Sequence, residues 1–98
     1  MPRLIWSPAA LRDVGRLHAF LARKNQPAAH RAIAAIRAGV RSLTEHPQIG
    51  RAVTDTPEYR EWPIDFGSYG YLALYRLDGD DVVLLAIRHG RELDYGGP

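Results

Sequence analysis

The 98-residue chain has no cysteine, a single methionine and two tryptophans. Without cysteine there are no disulfides, no thiolate nucleophile and no thiolate-bound metal, which fits a reducing compartment. Long hydrophobic runs are also missing. The longest, Val82 to Ile87, falls far short of the roughly 18 apolar residues a membrane span needs. The opening "MPRLIWSPAALRD" holds no sustained apolar stretch either, so a cytoplasmic protein with no membrane partner is expected. Lysine is nearly absent: Lys24 stands alone, and every other cation among the thirteen is an arginine. Against eleven carboxylates this leaves a net charge of +2. Arginine presents a planar fork that meets carboxylates or phosphates at two points, so the bias suits a partner rich in either.

This length suits one domain, residues 1–98. A domain of this size buries only about 65% of its unfolded surface, and nearly every strongly apolar residue is then needed for the core. A cofactor pocket would compete with that core, so no cofactor is expected and binding should lie on the surface.

Leu4 to Trp6 is a short strand candidate. Ser7 and Pro8 then mark a helix start, as N-cap and first helical residue, with Asp13 near the positive end of the helix. Ala10, Val14, Leu17 and Leu21 recur at helical spacing as far as about Arg23. "KNQP" breaks the helix, with Asn25 suited to a left-handed cap. A second helix opens at Pro27, carries Ala29, Ile33, Ile36, Val40 and Leu43 on one stripe, and closes at His46-Pro47. So short a link between two amphipathic helices makes an antiparallel hairpin.

"PQIGRAVTDTPEY" has turn formers and no period, and is expected to be a loop. Strands are expected at Tyr59 to Phe66, Tyr69 to Leu77 and Val82 to His89, the last two joined through Asp78-Gly79 as an antiparallel hairpin. Pro63 puts its strand at a sheet edge or bulge. The element order β-α-α-β-β-β implies an α+β fold in two layers, the helical hairpin packed on a small, mainly antiparallel β-sheet. Tyr69, Tyr71, Ala73 and Tyr75 share one face of their strand and Leu72, Leu74 and Arg76 the other, and either set could meet the helices. The face left over would mark a partner site.

Chemistry-bearing residues gather at the chain's end. Arg88, His89, Arg91 and Tyr95 supply an imidazole, two cations and a phenol, the groups of metal-independent RNA cleavage if they converge on one phosphate. A hydrogen-bonded histidine closing a strand, beside a solvated Arg91-Glu92 pair, explains the same residues without catalysis. Arg60, Glu61 and Trp62 form a second cluster, either a contact for RNA or protein or an ion pair beside a core tryptophan. His18, His30, His46 and His89 are too far apart for a metal motif, so no metal is expected. Arg12, Arg16, Arg23, Arg31, Arg37 and Arg41 line the polar sides of the hairpin, as solvated faces do.

Taken in order, "WSPAALRDVGRLHAFL", "NQPAAHRAIAAIRAGVRSLTEHPQIGR" and "YREWPIDFGSYGYLALYRLDGDDVVLLAIRHGRE" resemble the RelE/ParE toxins of bacterial type II toxin–antitoxin systems. The ordered set P-x-I-G-R, Y-R-E, Y-R-x-D-G-D and H-G-R carries the resemblance over nearly the whole chain. It implies a toxin encoded beside an antitoxin of the ribbon-helix-helix, ParD-like type, which wraps it as a hetero-oligomer and lies on the open sheet face. Its ParE-like branch inhibits DNA gyrase and has no known nuclease site; its RelE-like branch cleaves mRNA on the ribosome. RelE-like members carry an arginine on a strand three residues before a tyrosine, and here Leu72 stands three before Tyr75. Their paired lysines would match Arg60 and Trp62, their late arginine falls near Arg91 or Glu92, and their last tyrosine matches Tyr95 only loosely. Other members use a Glu, an Arg, a His and a Tyr, which Glu61 or Glu92, Arg60 or Arg76, His89 and Tyr95 could imitate. The leucine and the long hairpin point to the ParE-like branch, a gyrase inhibitor that is not an enzyme. On that branch Arg60, Trp62, Tyr71, Arg76, Arg88 and Arg91 would bind target or antitoxin. The alternatives are a ribosome-dependent endonuclease using Arg60, His89, Arg91 and Tyr95, or a non-toxic relative that only binds an antitoxin.

Overall fold

Ser7 starts the first helix as its sequence suggests: its hydroxyl accepts the Ala10 amide at 3.0 Å, and Pro8 follows where a missing N–H costs nothing. The computed structural model describes residues 2–95; the terminal Gly96-Gly97-Pro98, whose composition alone would suggest a frayed end, lies outside them. Its elements are β1 (Leu4–Trp6), α1 (Pro8–Ala22), α2 (Gln26–Glu45), β2 (Arg51–Val53), β3 (Thr56–Ile64), β4 (Tyr71–Asp78) and β5 (Asp81–His89). The sheet order is β1-β5-β4-β3-β2, antiparallel throughout except where β1 runs parallel to β5. Two helices on one face of this sheet make the expected α+β fold.

Three local expectations are corrected. Asn25 is extended (φ −163°) and caps the second helix instead of ending the first, its side-chain oxygen accepting the Ala28 amide at 3.0 Å. The stretch expected to be a loop holds β2 and the first residues of β3. Gly50 makes that possible by close approach: a Cβ there would stand 2.6 Å from the Tyr75 ring and 2.8 Å from the Glu61 carbonyl. Its amide instead donates to the Tyr75 hydroxyl at 2.9 Å, and that hydroxyl donates to the Pro47 carbonyl at 2.8 Å. The hairpin between β4 and β5 turns on Gly79-Asp80, with Gly79 at φ 61° in the first central position, where a type II′ turn needs glycine.

Alternation along β4 settles which face is covered. Tyr71, Ala73 and Tyr75 are buried beneath Leu17, Ile36, Val40 and Leu43 of the helices, with Val82, Leu84 and Ile87 of β5 beside them. Leu72, Leu74 and Arg76 lie on the other face, half-buried. A register shift after Leu74 gives β5 one extra residue, so Leu84 and Ile87 both face the helices.

Beyond Leu84 the outer edge of β5 has lost its β1 partner, because β1 ends at Trp6. Side chains take over the pairing. Ser7 Oγ donates to the Leu85 carbonyl at 3.1 Å, and the Ile87 amide donates to Asp13 Oδ2 at 2.8 Å. The His89 amide donates to Glu92 Oε1 at 2.7 Å. The edge is thus satisfied without a strand.

Candidate functional site

Arg88 and His89 are neighbours in a strand, so they point to opposite faces of the sheet. On the open face the Arg88 guanidinium lies 5.1 Å from the centre of the Tyr95 ring and donates to the Glu92 carbonyl, while its Nε is buried without a partner among the described residues. The Tyr95 hydroxyl donates to Glu61 Oε2 at 2.7 Å. Since Glu61 is on β3 and Arg88 on β5, the chain's last described residues strap across β4, closing one end of the open face. Arg51 pairs with the same carboxylate at 3.2 Å.

This hydrogen bond favours the ionised carboxylate of Glu61 and, together with burial, the un-ionised phenol of Tyr95. The Tyr95 hydroxyl and then Arg51 hold Glu61 below the usual carboxylate range against its partial burial. Burial, followed by the carboxylate beside it, pushes the Tyr95 phenol well above its ordinary value. A depressed carboxylate stabilises the fold above its unfolded pKa and loses that contribution as pH falls through its folded pKa. The strap should therefore loosen in acid, below the ordinary carboxylate range, and again in strong alkali, above the ordinary phenol range, as the Tyr95 hydroxyl ionises. In a Tyr95→Phe variant the Glu61 carboxyl should titrate at higher pH than in wild type, which carboxyl-carbon NMR would report. An unchanged Glu61 titration would show that the phenol does not hold it.

On the helix side His89 packs edge-on against Tyr71, with ring centres 5.7 Å apart, and near Tyr69 at 5.8 Å. Its Nδ1 accepts the Arg91 amide at 3.1 Å, which leaves the ring proton on Nε2. The Arg91 guanidinium lies 5.0 Å from the Tyr69 ring centre. Glu92 accepts from Arg16 at 2.8 Å, and Arg16 stands 3.7 Å from Asp13, so a carboxylate–guanidinium chain ties α1 to the end of β5.

The remaining candidates sit elsewhere. Arg60 is opposite Tyr75, and its Nη1 donates to the carbonyls of Gln48 and Gly50 at 3.0 and 2.7 Å. It holds the loop before β2. Trp62 faces α2, where its indole N–H donates to the Gly39 carbonyl at 3.2 Å, and its ring packs against the core. Tyr71 is buried, which raises its phenol above the ordinary value. Arg76 is on the open face, 4.0 Å from Asp78.

The structure therefore does not gather Arg60, His89, Arg91 and Tyr95. Arg60 lies four residues of β4 from the level of His89, about 13 Å along the strand. Tyr95 and His89 occupy opposite faces. What does assemble is Glu61, Arg88 and Tyr95 on one face, and His89, Arg91 and Tyr69 at the sheet's edge. Among the described residues no group of three or more His, Cys, Asp or Glu side chains could hold a metal, and no helix is long and apolar enough to cross a membrane. Asp13, Arg16 and Glu92 were not singled out as a unit from sequence. Asp13 could have been, because it falls on the buried stripe between Ala10 and Leu17 at helical spacing.

The chain as a whole is similar to known proteins. Residues 4–94 match the family model of the ParE toxin of the type II toxin–antitoxin system parDE. Two toxins of Caulobacter vibrioides are similar in sequence. RelE3 is 36% identical over 85 residues, covering 87% of this chain and 90% of that protein. RelE1 is 41% identical over 86 residues, covering 88% and 90%. In three dimensions a chain of the chromosomal ParDE system from P. aeruginosa superposes with a TM-score of 0.77 at 21% identity, covering 91% of this chain and 96% of that one, a likeness of fold. The chain belongs to the ParE toxin family of type II toxin–antitoxin systems, within the RelE/ParE superfamily.

Proposed function

We propose that this protein is a cytoplasmic toxin that stops growth by binding DNA gyrase, and that a cognate ribbon-helix-helix antitoxin neutralises it in a hetero-oligomeric complex. One observation carries the choice of mechanism: the cations, imidazole and phenol that RNA cleavage would need are spread over two faces and two ends of the sheet. Arg60 is occupied by backbone carbonyls, and Leu72 offers no charge where RelE-like nucleases place an arginine. Losing one such donor costs roughly 3–4 kcal/mol of transition-state stabilisation. A chain so short of converging groups acts better by contact than by chemistry.

The names of the two Caulobacter relatives favour a second reading, a ribosome-dependent endonuclease. Its best site is the Glu61, Arg88 and Tyr95 cluster. There the carboxylate is pushed down and the phenol up, each away from the neutral range in which a general base or acid works best.

A supercoiling assay tests the gyrase reading. Purified toxin at micromolar concentration should block supercoiling by gyrase and leave linear DNA, and added antitoxin should restore the activity. Full supercoiling at every toxin concentration would reject it.

A further inference from the structure

Between the C-terminal half of α1 and the loop joining β3 to β4 lies a cavity of about 530 Å³, within the size range of ligand pockets. Leu17, Leu21, Phe66 and Tyr71 form its apolar walls, and His89 lies along its polar side. Leu17 and Tyr71 are core residues, so the cavity reaches down to the main core instead of resting on the surface.

Its surroundings are unusual for a water-facing edge. Phe20, on the cavity wall, is 60% exposed, and Tyr69, its ring tilted against that of His89, is 57% exposed. Each carries a cation on its ring: Lys24 Nζ lies 5.1 Å from the Phe20 centre and the Arg91 guanidinium 5.0 Å from that of Tyr69. A cation laid on an aromatic face still has its outer side for a carboxylate. Glu92, the acidic group in the lining, is already paired with Arg16 and the His89 amide. Apolar walls, exposed aromatics and two cations that pair with no carboxylate among the described residues together describe a receptor for an acidic segment bearing one large apolar residue. A nucleic acid would find the charge but no use for the apolar floor.

We propose that this cavity receives a leucine- or phenylalanine-sized side chain from an acidic segment of the antitoxin, whose flanking carboxylates settle on Lys24 and Arg91. The proposal rests on the toxin reading above and names where neutralisation takes hold. The His89 Nε2–H supplies a donor at the polar side, so an imidazole placed well for catalysis in sequence serves recognition instead. Core anchors of this kind dominate the affinity of protein interfaces.

The test uses the full-length chain and the full-length product of the reading frame adjacent to its gene, with dissociation constants from calorimetry. Ser68, exposed at the cavity's rim, can be changed without touching the core, so Ser68→Trp plugs the cavity. That variant should bind on the order of 30-fold more weakly than wild type, the loss typical of an interface anchor. Phe20→Ala provides a second variant should the plug disturb folding, and should weaken binding in the same direction. Lys24→Glu with Arg91→Glu should also weaken binding and flatten its dependence on salt, whereas Arg41→Glu on the exposed side of α2 should change nothing. Tight binding by wild type that Ser68→Trp and Phe20→Ala leave intact would overturn the cavity proposal while the toxin reading stands. Failure of wild type itself to bind would remove both. If Ser68→Trp bound the antitoxin normally but no longer inhibited gyrase, the cavity would belong to the target and the proposal would again fall.

Discussion

Replacing Asp13 by alanine should lower the free energy of unfolding by about 2 kcal/mol, because it strands a buried amide. Asp13 is only 6% exposed, and its Oδ2 is the acceptor for the Ile87 N–H at 2.8 Å. At that point β5 has no strand outside it, so neither β1 nor water can replace the lost acceptor readily. The substitution also frees Arg16 from one of its two carboxylates. Alanine's better helix propensity returns only about 0.5 kcal/mol. Asparagine keeps a side-chain carbonyl in place, so Asp13→Asn should lose less than half as much. Urea midpoints of the three proteins would measure this, and an alanine variant as stable as wild type would show that the edge of β5 is satisfied in some other way.

Trp62→Ala is the second large effect, a loss of about 3 kcal/mol, the lower end for removing an aromatic side chain from a core. As a residue type beside Arg60 and Glu61, Trp62 suits a partner contact; its geometry makes it a strut between β3 and α2, bonded to Gly39. The expected pattern is a marked drop in thermal midpoint, with Trp62→Phe intermediate because it keeps the ring's packing and loses the N–H bond. At a temperature where the alanine variant is still folded, its antitoxin affinity should match wild type. A stable Trp62→Ala protein that had lost antitoxin binding would put the indole in the interface and contradict the placement.

Much of this fold is written locally. Ser7 with Pro8 sets one helix start, the apolar spacing gives both helices their buried stripes, and Gly79 marks the tight hairpin. The failures share a cause, which is that they depend on residues distant in sequence. Arg51-Ala52-Val53 has little strand character of its own and becomes β2 because Tyr75 and Arg60 pin the loop before it. Asn25 could end one helix or begin the next, and an extended φ chooses the second. Tyr71 and Tyr75 rather than Leu72 and Leu74 face the helices because the Tyr75 hydroxyl finds Gly50 and Pro47 there, an outcome no single-strand pattern contains. The candidate site was legible in residue type but not in convergence. Simple alternation already separates Arg88 from His89, yet Tyr95 on Glu61 required the strap to be seen.

The most direct test is primer extension across translated mRNA in cells arrested by this toxin and by a His89→Ala, Tyr95→Phe double variant. A toxin that works by gripping its target should leave no codon-positioned cuts in either case, and both proteins should arrest growth. Cuts in the wild-type sample that vanish with the double variant would contradict it, and would make the dispersed groups of this sheet a nuclease after all.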